Sequence, residues 1–405
     1  MNWQNSISNQ KSNNETTRLV HDVMLHPDFR LGDLVNFNAT TETRKADAAE
    51  ERGSSFLRAF RHASVDIDVP SGSAQESSQT FSVSGLYYRQ ITSLIKEAFE
   101  SPISKKFHFS PFKLFRKHPD REVSDRIYSE IYNSDVLLDE HDKVQRGHAP
   151  VSDPLCKRER VVMALMFWSD ATHLATFGTA KMWLIYMLFG NLSKYIRCQP
   201  NSGATKHLAY IPQLPDSLQD QLKSFHRKWD TQQSDVLTHC RRELMHAVWN
   251  FLLDDDFINA HTNGIVVKSL DGIERRVYPR VLTYSADYPE KYDCAPKSLG
   301  SSLIAPFTRV LLATIRDKGL CPCPRCLIPQ NKLDRVGQVA DMKIRINQER
   351  QLQDTTELVK KARKAIYEQG APIAGAYVQR LLKPTSSIPT LVSSEMSSLC
   401  VLLPR

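Results

Sequence analysis

The sequence predicts a mixed α/β core flanked by helices. Three observations carry that expectation. "VVMALMFW" (Val161–Trp168) and "MWLIYMLFGN" (Met182–Asn191) are continuous apolar runs of strand length, the second closed by Gly190 and Asn191. Such runs mark strands buried on both faces. Between Pro215 and Leu253 apolar residues recur at helical spacing. Beyond them, two β-rich runs flank Asp271-Gly272, a dipeptide suited to the positive-φ corner of a hairpin. Strands, then helices, then a further strand combine into a mixed α/β core.

Taken in order, residues 1–80 are expected to be mostly disordered. The Asn- and Ser-rich patches, "TETRKADAAEERG" and "PSGSAQESSQT", offer little apolar surface to offset the entropy of ordering. Residues 81–158 read as a helical, basic-aromatic region. "LYYRQITSLIKEAFE" sets Leu86, Ile91, Leu94, Ile95, Ala98 and Phe99 mostly on one helical face. "KKFHFSPFKLFRKHP" interleaves Phe107, Phe109, Phe112 and Phe115 with Lys105, Lys106, Lys113, Arg116 and Lys117. That mixture suits base stacking with phosphate contact, or equally a core edge with solvated cations. "VSDRIYSEIYNSDVLLDEH" reads as another amphipathic helix.

Residues 159–315 hold the core. After its first two strands, "SKYIRCQP" is expected as a short third. A helix starts at Asp216, with Gln219 three residues on as in a capping box, and Leu218, Leu222, Phe225 and Trp229 as its stripe. A second helix, Asp235 to Leu253, uses Val236, Cys240, Leu244, Val248 and Phe251 and ends in Asp254, Asp255 and Asp256, where acid opposes the helix dipole. Residues 316–370 carry a cysteine group and a charged helix that stops at Gly370; residues 371–405 have no pattern.

The chain has 405 residues, 41% of them hydrophobic, which is enough for a sizeable core. Its 53 basic and 45 acidic residues give a net charge of +8, a bias towards polyanionic partners such as nucleic acid or an acidic membrane surface. No apolar run is long enough to span a bilayer, and the polar N-terminus lacks the apolar region of a signal peptide. The eight cysteines are mostly scattered, which suits a reducing intracellular compartment better than a disulfide framework.

Two strands are expected to end on carboxylates, at Asp170 and at Asp287. In open α/β sheets, sites collect outside such strand ends. Two carboxylates brought together repel unless a cation lies between them. Hard oxygen donors suit Mg²⁺ or Mn²⁺, and a pair of such ions supports phosphoryl transfer. An Asp after a strand is also a common turn residue. Asp254–Asp256 is a rival cluster or a solvated helix end. Cys323 and Cys326, with Cys321 nearby, form half of a Zn²⁺ knuckle; structural zinc takes four ligands, and no second pair is present. The other reading is reduced cysteines in a Pro-rich loop.

"ALMFWSDATHLATFGTAKMWLIYMLFGNLSKYIRCQP", with "HLAYIPQLPD", "SADYPEK" and "CPRC" downstream, resembles the Plavaka-type transposases of fungal DNA elements, in the Kyakuja–Dileera–Zisupton group. "GLYYRQITSLIKEAF", "FHFSPFKLF" and "YSEIYNSD" resemble the same family. The likeness spans roughly residues 80–330, with its motifs in consecutive order. It implies a ribonuclease H-like core with a triad of acids, of which Asp170 in "WSDAT" resembles the first and Asp287 in "SADYPE" the second. It implies Mg²⁺ or Mn²⁺ as cofactor, DNA ends and target DNA as partners, and a nuclear location. A homo-oligomer is a further expectation. "CPRC" then belongs to an insertion between the second and third acids. The third acid has no match, and the tail does not resemble the family's continuation, so truncation at the C-terminus is expected. Lys194 and Arg197, after the second strand, are candidates for phosphate contact. The alternative function is a catalytically inactive DNA-binding remnant or an interaction protein.

Overall fold

The computed structural model describes residues 59–119, 123–148, 150, 152–173, 181–199, 202–286, 319–323 and 326–391, with 17, 19–30, 32, 38 and 41 before them. The chain divides into two units, Met1–Ala59 and Phe60–Arg405. In the first, Leu19–Met24 forms a short π-helix. All that follows concerns the second.

Among the described residues, seven strands form one sheet in the order β1-β2-β7-β6-β5-β9-β8. These are β1 (Arg61–Val69), β2 (Gln79–Tyr88), β5 (Glu159–His173), β6 (Lys181–Phe189), β7 (Thr205–Ile211), β8 (Ile265–Lys268) and β9 (Glu274–Ala286). Neighbours run antiparallel except β5 and β9, which are parallel. A parallel pair needs a long crossover. Here β6, β7 and the helices α4 (Asp216–Phe225), α5 (Trp229–Leu252) and α6 (Asp255–Asn263) fill it. A separate ribbon pairs β3 (Leu114–Lys117) with β4 (Ser124–Ile127). The remaining helices are α1 (Ile91–Glu100), α2 (Asp135–Arg146), α3 (Lys194–Arg197), α7 (Val339–Asn347), α8 (Leu352–Tyr367) and α9 (Ala376–Leu382). The mixed α/β expectation holds at this level.

The two faces of β5 go to different clusters. Val161, Met163, Leu165 and Phe167 join the main core with α1, α4, α5 and α8. Val162 and Ala164 join a smaller cluster with Leu137 and Val144 of α2. Period-two alternation makes this split automatic once both faces are covered, which is why the sequence shows an unbroken apolar run. Asn191 completes the edge where β6 leaves β5. Its Oδ1 accepts from the Ala164 amide at 2.8 Å, and its Nδ2 donates to the carbonyls of Val162 at 2.9 Å and His108 at 3.0 Å. An Asn191→Ala variant strips two buried backbone groups and one part-buried carbonyl of this partner. At roughly 1–3 kcal/mol per unsatisfied group, the expected loss is about 3 kcal/mol or more, read from urea unfolding. A loss below about 1 kcal/mol would mean water replaces the amide.

Several elements depart from the sequence expectation. Order reaches back to Arg61, inside the stretch expected to be disordered: β1 buries only Val65, Ile67 and Val69, every second residue, and β2 covers its edge. The helix expected from Leu86 begins at Ile91, because Leu86 to Tyr88 pair with β1. The single helix expected across Val123–His141 is strand β4, a 3₁₀ turn at Ile131–Asn133 and then α2, whose N-cap Ser134 accepts from the Leu137 amide. "SKYIRCQP" begins with helix α3, and the third strand is β7. The capping box at Asp216 is not formed; Gln219 reaches the Asp216 side chain instead, with Pro215 at the cap.

The acidic run Asp254–Asp256 lies at the N-terminus of α6, with Asp254 Oδ1 accepting from the Phe257 amide at 2.8 Å. Acid there favours the helix dipole, the reverse of the expectation. The charged helical stretch expected from beyond Arg335 to Gly370 is two helices, α7 and α8. Gly370 has φ +63°, and a Cβ there would meet the Ser73 carbonyl carbon at 2.5 Å, so only glycine fits. The "unpatterned" tail contains α9, with Ile373, Val378, Leu382 and Ile388 buried.

Candidate active site

Asp170 does not follow the strand; it lies inside it. The β5–β6 ladder runs on through Asp170↔Leu184 to His173↔Lys181. Polar residues at the end of an apolar run look like a turn in sequence, but here a hairpin partner keeps them in the ladder.

A bulge decides which way this end of β9 faces. Leu165 pairs with Val281, but Met166 pairs with Thr283, so Leu282 is an extra residue on β9. Val281 and Tyr284 pack into the main core, whereas Leu282 joins the α2 cluster. Without the extra residue, alternation would send Tyr284 to the α2 side; the bulge reverses it. Tyr284 therefore turns inward, where its hydroxyl donates to Ser169 Oγ at 2.7 Å and its ring meets Trp249 edge-on at 5.3 Å. Phe167 meets the same indole at 5.2 Å. This buried group fixes the β5–β9 register beneath Asp170. Ser285 pairs with Trp168, and Ala286, the last described residue of β9, pairs with Ser169.

Asp170 shares its face of β5 with Trp168. Beyond the reach of α2 this face opens: Asp170 is half-buried and Trp168 is 42% exposed. Trp168 stacks on Tyr186 of β6 at 5.2 Å. Tyr186 meets His207 of β7 edge-on at 5.0 Å, and His207 Nδ1 lies 2.9 Å from the Tyr210 hydroxyl. Phe60 packs on Tyr210 at 5.2 Å. A band of aromatic rings thus runs across the sheet from the carboxylate. Burial, and then the negative charge of Asp170, push the Tyr186 phenol above its ordinary range. Burial, and then the Arg89 cation, hold His207 below its ordinary value, so it is neutral at pH 7.

Asp287, the other expected acid, falls outside the described residues. Among the described residues no group of three or more His, Cys, Asp or Glu is arranged to hold a metal ion, the cysteine group included. Cys321 is buried, with its Sγ 3.2 Å from the Leu327 carbonyl oxygen. Cys323 and Cys326 lie within hydrogen-bonding reach of each other, and burial raises the thiols of Cys321 and Cys326. The loop is gathered by Arg350, which donates to the carbonyls of Cys321 at 2.6 Å, Cys323 at 2.8 Å and Thr385 at 2.6 Å.

Lys194 and Arg197 sit on α3. Lys194 is exposed, its Nζ 5.5 Å from the Tyr195 ring centre. Arg197 is turned inward: it donates to Glu130 Oε2 at 3.1 Å and to the Leu192 carbonyl. Glu130 also accepts from the Lys194 amide at 2.9 Å. That network ties α3 to the 3₁₀ turn.

The model of the Plavaka transposase family matches residues 57–374, most of the chain. The chain belongs to the Plavaka transposase family. Its match begins just ahead of β1, so the Plavaka unit includes the β1–β2 hairpin that composition alone left out. No curated protein and no solved structure matches. The Plavaka assignment therefore rests on the family model and on the motif order in the sequence. Sequence reasoning missed the aromatic band, because Trp168, Tyr186, His207 and Tyr210 come from three strands. Only a correct β5–β6–β7 register would have brought them together.

Proposed function

We propose that this chain acts as a DNA transposase, cutting phosphodiester bonds at element ends and joining the 3′-hydroxyl to target DNA. The family match over residues 57–374 carries that reading. We assign Asp170 as the first acid of a ribonuclease H-like site and Asp287, one peptide bond beyond Ala286, as the second. The parallel β5–β9 pair supports this: Ala286 sits beside Ser169, immediately before Asp170. Mg²⁺ or Mn²⁺ takes oxygen donors, and Asp170 fits as one such donor on an open face. When bound, such ions activate an attacking hydroxyl and stabilise the leaving oxygen.

The chain's own residues position the substrate. Trp168, two residues from Asp170 on the same face, offers an exposed ring for an unstacked base. Tyr186 backs it, and its phenol stays protonated at neutral pH. Trp168→Ala is expected to weaken single-strand binding about 10-fold, since base–aromatic stacking contributes roughly 1–3 kcal/mol. Fluorescence anisotropy in EDTA reads it; an unchanged affinity would remove Trp168 from the substrate path. The test of the function itself is incubation of the protein with DNA bearing element ends and Mn²⁺. Cleavage plus joining supports a transposase, cleavage without joining points to a nuclease, and binding without either points to an inactive DNA-binding protein.

A further inference from the structure

The β3–β4 ribbon stands apart from the sheet, and every residue of β3 is exposed. An isolated two-stranded ribbon is marginal in water, yet this one carries large apolar groups into solvent. Phe115 is 55% exposed and Tyr128 61%, with Phe112, Leu114 and Val123 exposed beside them. The four phenylalanines of "FHFSPFKLF" thus divide. Phe107 and Phe109 pack on Phe99 in the core, while Phe112 and Phe115 do not join that cluster.

What holds the ribbon in shape is Arg126. Its guanidinium donates to the Ile127 carbonyl at 2.6 Å and the Asn133 carbonyl at 2.6 Å, next to the N-cap of α2. It lies 4.4 Å from the Tyr128 ring centre and 5.7 Å from that of Phe115. The Tyr128 hydroxyl donates to Asp135 at 2.5 Å. The Tyr128 ring is therefore fixed before any partner arrives, with Phe115 beside the same guanidinium. Around them Lys113, Arg116 and Lys117 are exposed, while Asp125 is engaged by His118 at 2.6 Å.

We propose that the β3–β4 ribbon is a DNA-binding arm that enters a groove of duplex DNA, with Lys113, Arg116 and Lys117 on the phosphates and Phe115 against the sugar or base edge. The proposal rests on the transposase reading for its choice of polyanion. Charge complementarity favours it: Lys113, Arg116 and Lys117 flank the exposed Phe115 along the chain. Size favours it too, since the major groove, about 12 Å wide, admits a two-stranded ribbon, and every residue of β3 is exposed. Neutralising phosphates releases counterions, so each contact adds about 0.9 to the slope of log affinity against log salt.

The experiment uses the full chain, a 30-base-pair duplex, EDTA to suppress cleavage, and a potassium chloride titration read by anisotropy. Lys113→Gln/Arg116→Gln/Lys117→Gln is expected to lower the slope by about 2.7 and to weaken binding roughly 100-fold at 0.1 M salt. Phe115→Ala is expected to weaken binding several-fold with no change in slope. Lys105→Gln/Lys106→Gln, exposed at the end of a separate 3₁₀ turn (Pro102–Lys106), controls for bulk charge. All five altered cations and Phe115 are exposed, and unchanged thermal unfolding verifies the fold. If the ribbon triple loses no more slope per charge than the control, the arm is overturned while DNA binding stands. If Phe115→Ala instead changes the sedimenting mass and leaves DNA affinity intact, the ribbon joins two copies and the arm is again overturned. If the triple weakens binding to anionic vesicles but not to duplex, the arm is a lipid contact and the proposal fails. If the unaltered chain does not bind duplex at low salt, the transposase reading falls, and the arm with it.

Discussion

Asp170→Asn is expected to lower metal-dependent strand cleavage by about 1,000-fold or more, equivalent to roughly 4 kcal/mol of barrier. The substitution keeps the shape and removes the charge. Asp170 lies on the open, half-buried face, away from the Phe167–Trp249–Tyr284 group that fixes the strands. Unfolding without metal is therefore expected to change by no more than about 0.5 kcal/mol. A ligand at a hundredfold excess over its Kd stabilises the folded state by about 2.7 kcal/mol. The Mn²⁺-induced rise in Tm of the unaltered chain is expected to vanish in the variant. This second readout separates metal binding from catalysis. Retained cleavage, or an unchanged Mn²⁺ shift, would remove Asp170 from the site.

Arg363→Ala is expected to destabilise the fold by about 3–5 kcal/mol, the usual result of leaving one member of a buried pair alone. Arg363 of α8 donates to Glu243 of α5 at 2.6 Å and to the Pro389 carbonyl at 3.0 Å. Its guanidinium lies 4.5 Å from the Tyr367 ring centre, and the Tyr367 hydroxyl donates to the Asp68 carbonyl of β1 at 3.0 Å. One cation thus joins the C-terminal segment to the first strand and the longest helix. Burial already pushes the Glu243 carboxyl above its ordinary value, and Arg363 opposes that shift.

Without Arg363 the rise is larger. A carboxyl raised in the folded state contributes fully below its unfolded value and loses that contribution as pH climbs through the folded one. The deficit of Arg363→Ala is therefore expected to be greater at pH 8 than at pH 5. Pairing it with Glu243→Leu is expected to recover most of the loss, because the orphaned charge is gone. A deficit independent of pH, or no recovery in the double variant, would place the effect in packing rather than charge.

Local pattern was enough for part of this. The apolar runs of β5 and β6, the Asp271-Gly272 corner with φ +83° at Gly272, and the stripe of α5 are all carried by neighbouring residues. The short-range motifs also pointed to the Plavaka family. Where the reading strayed, a distant partner had decided the outcome. The polar stretch after Trp168 stays in the ladder because β6 pairs with it. Arg61–Val69 becomes a strand because β2 and the core supply an apolar face for its alternate residues. Arg197 turns inward because Glu130 waits there.

The sequence by itself determined the α/β class, the order of its central elements, the family and the identity of Asp170 as a candidate acid. These depend on residue type and spacing along the chain. The tertiary structure alone decided that Asp170 shares an open face with a band of rings from three strands, that two phenylalanines of one motif are core and two are surface, and that the cysteine loop is gathered by Arg350. Those outcomes depend on strand register, on one extra residue in β9, and on side chains brought together from different elements, which no local pattern encodes.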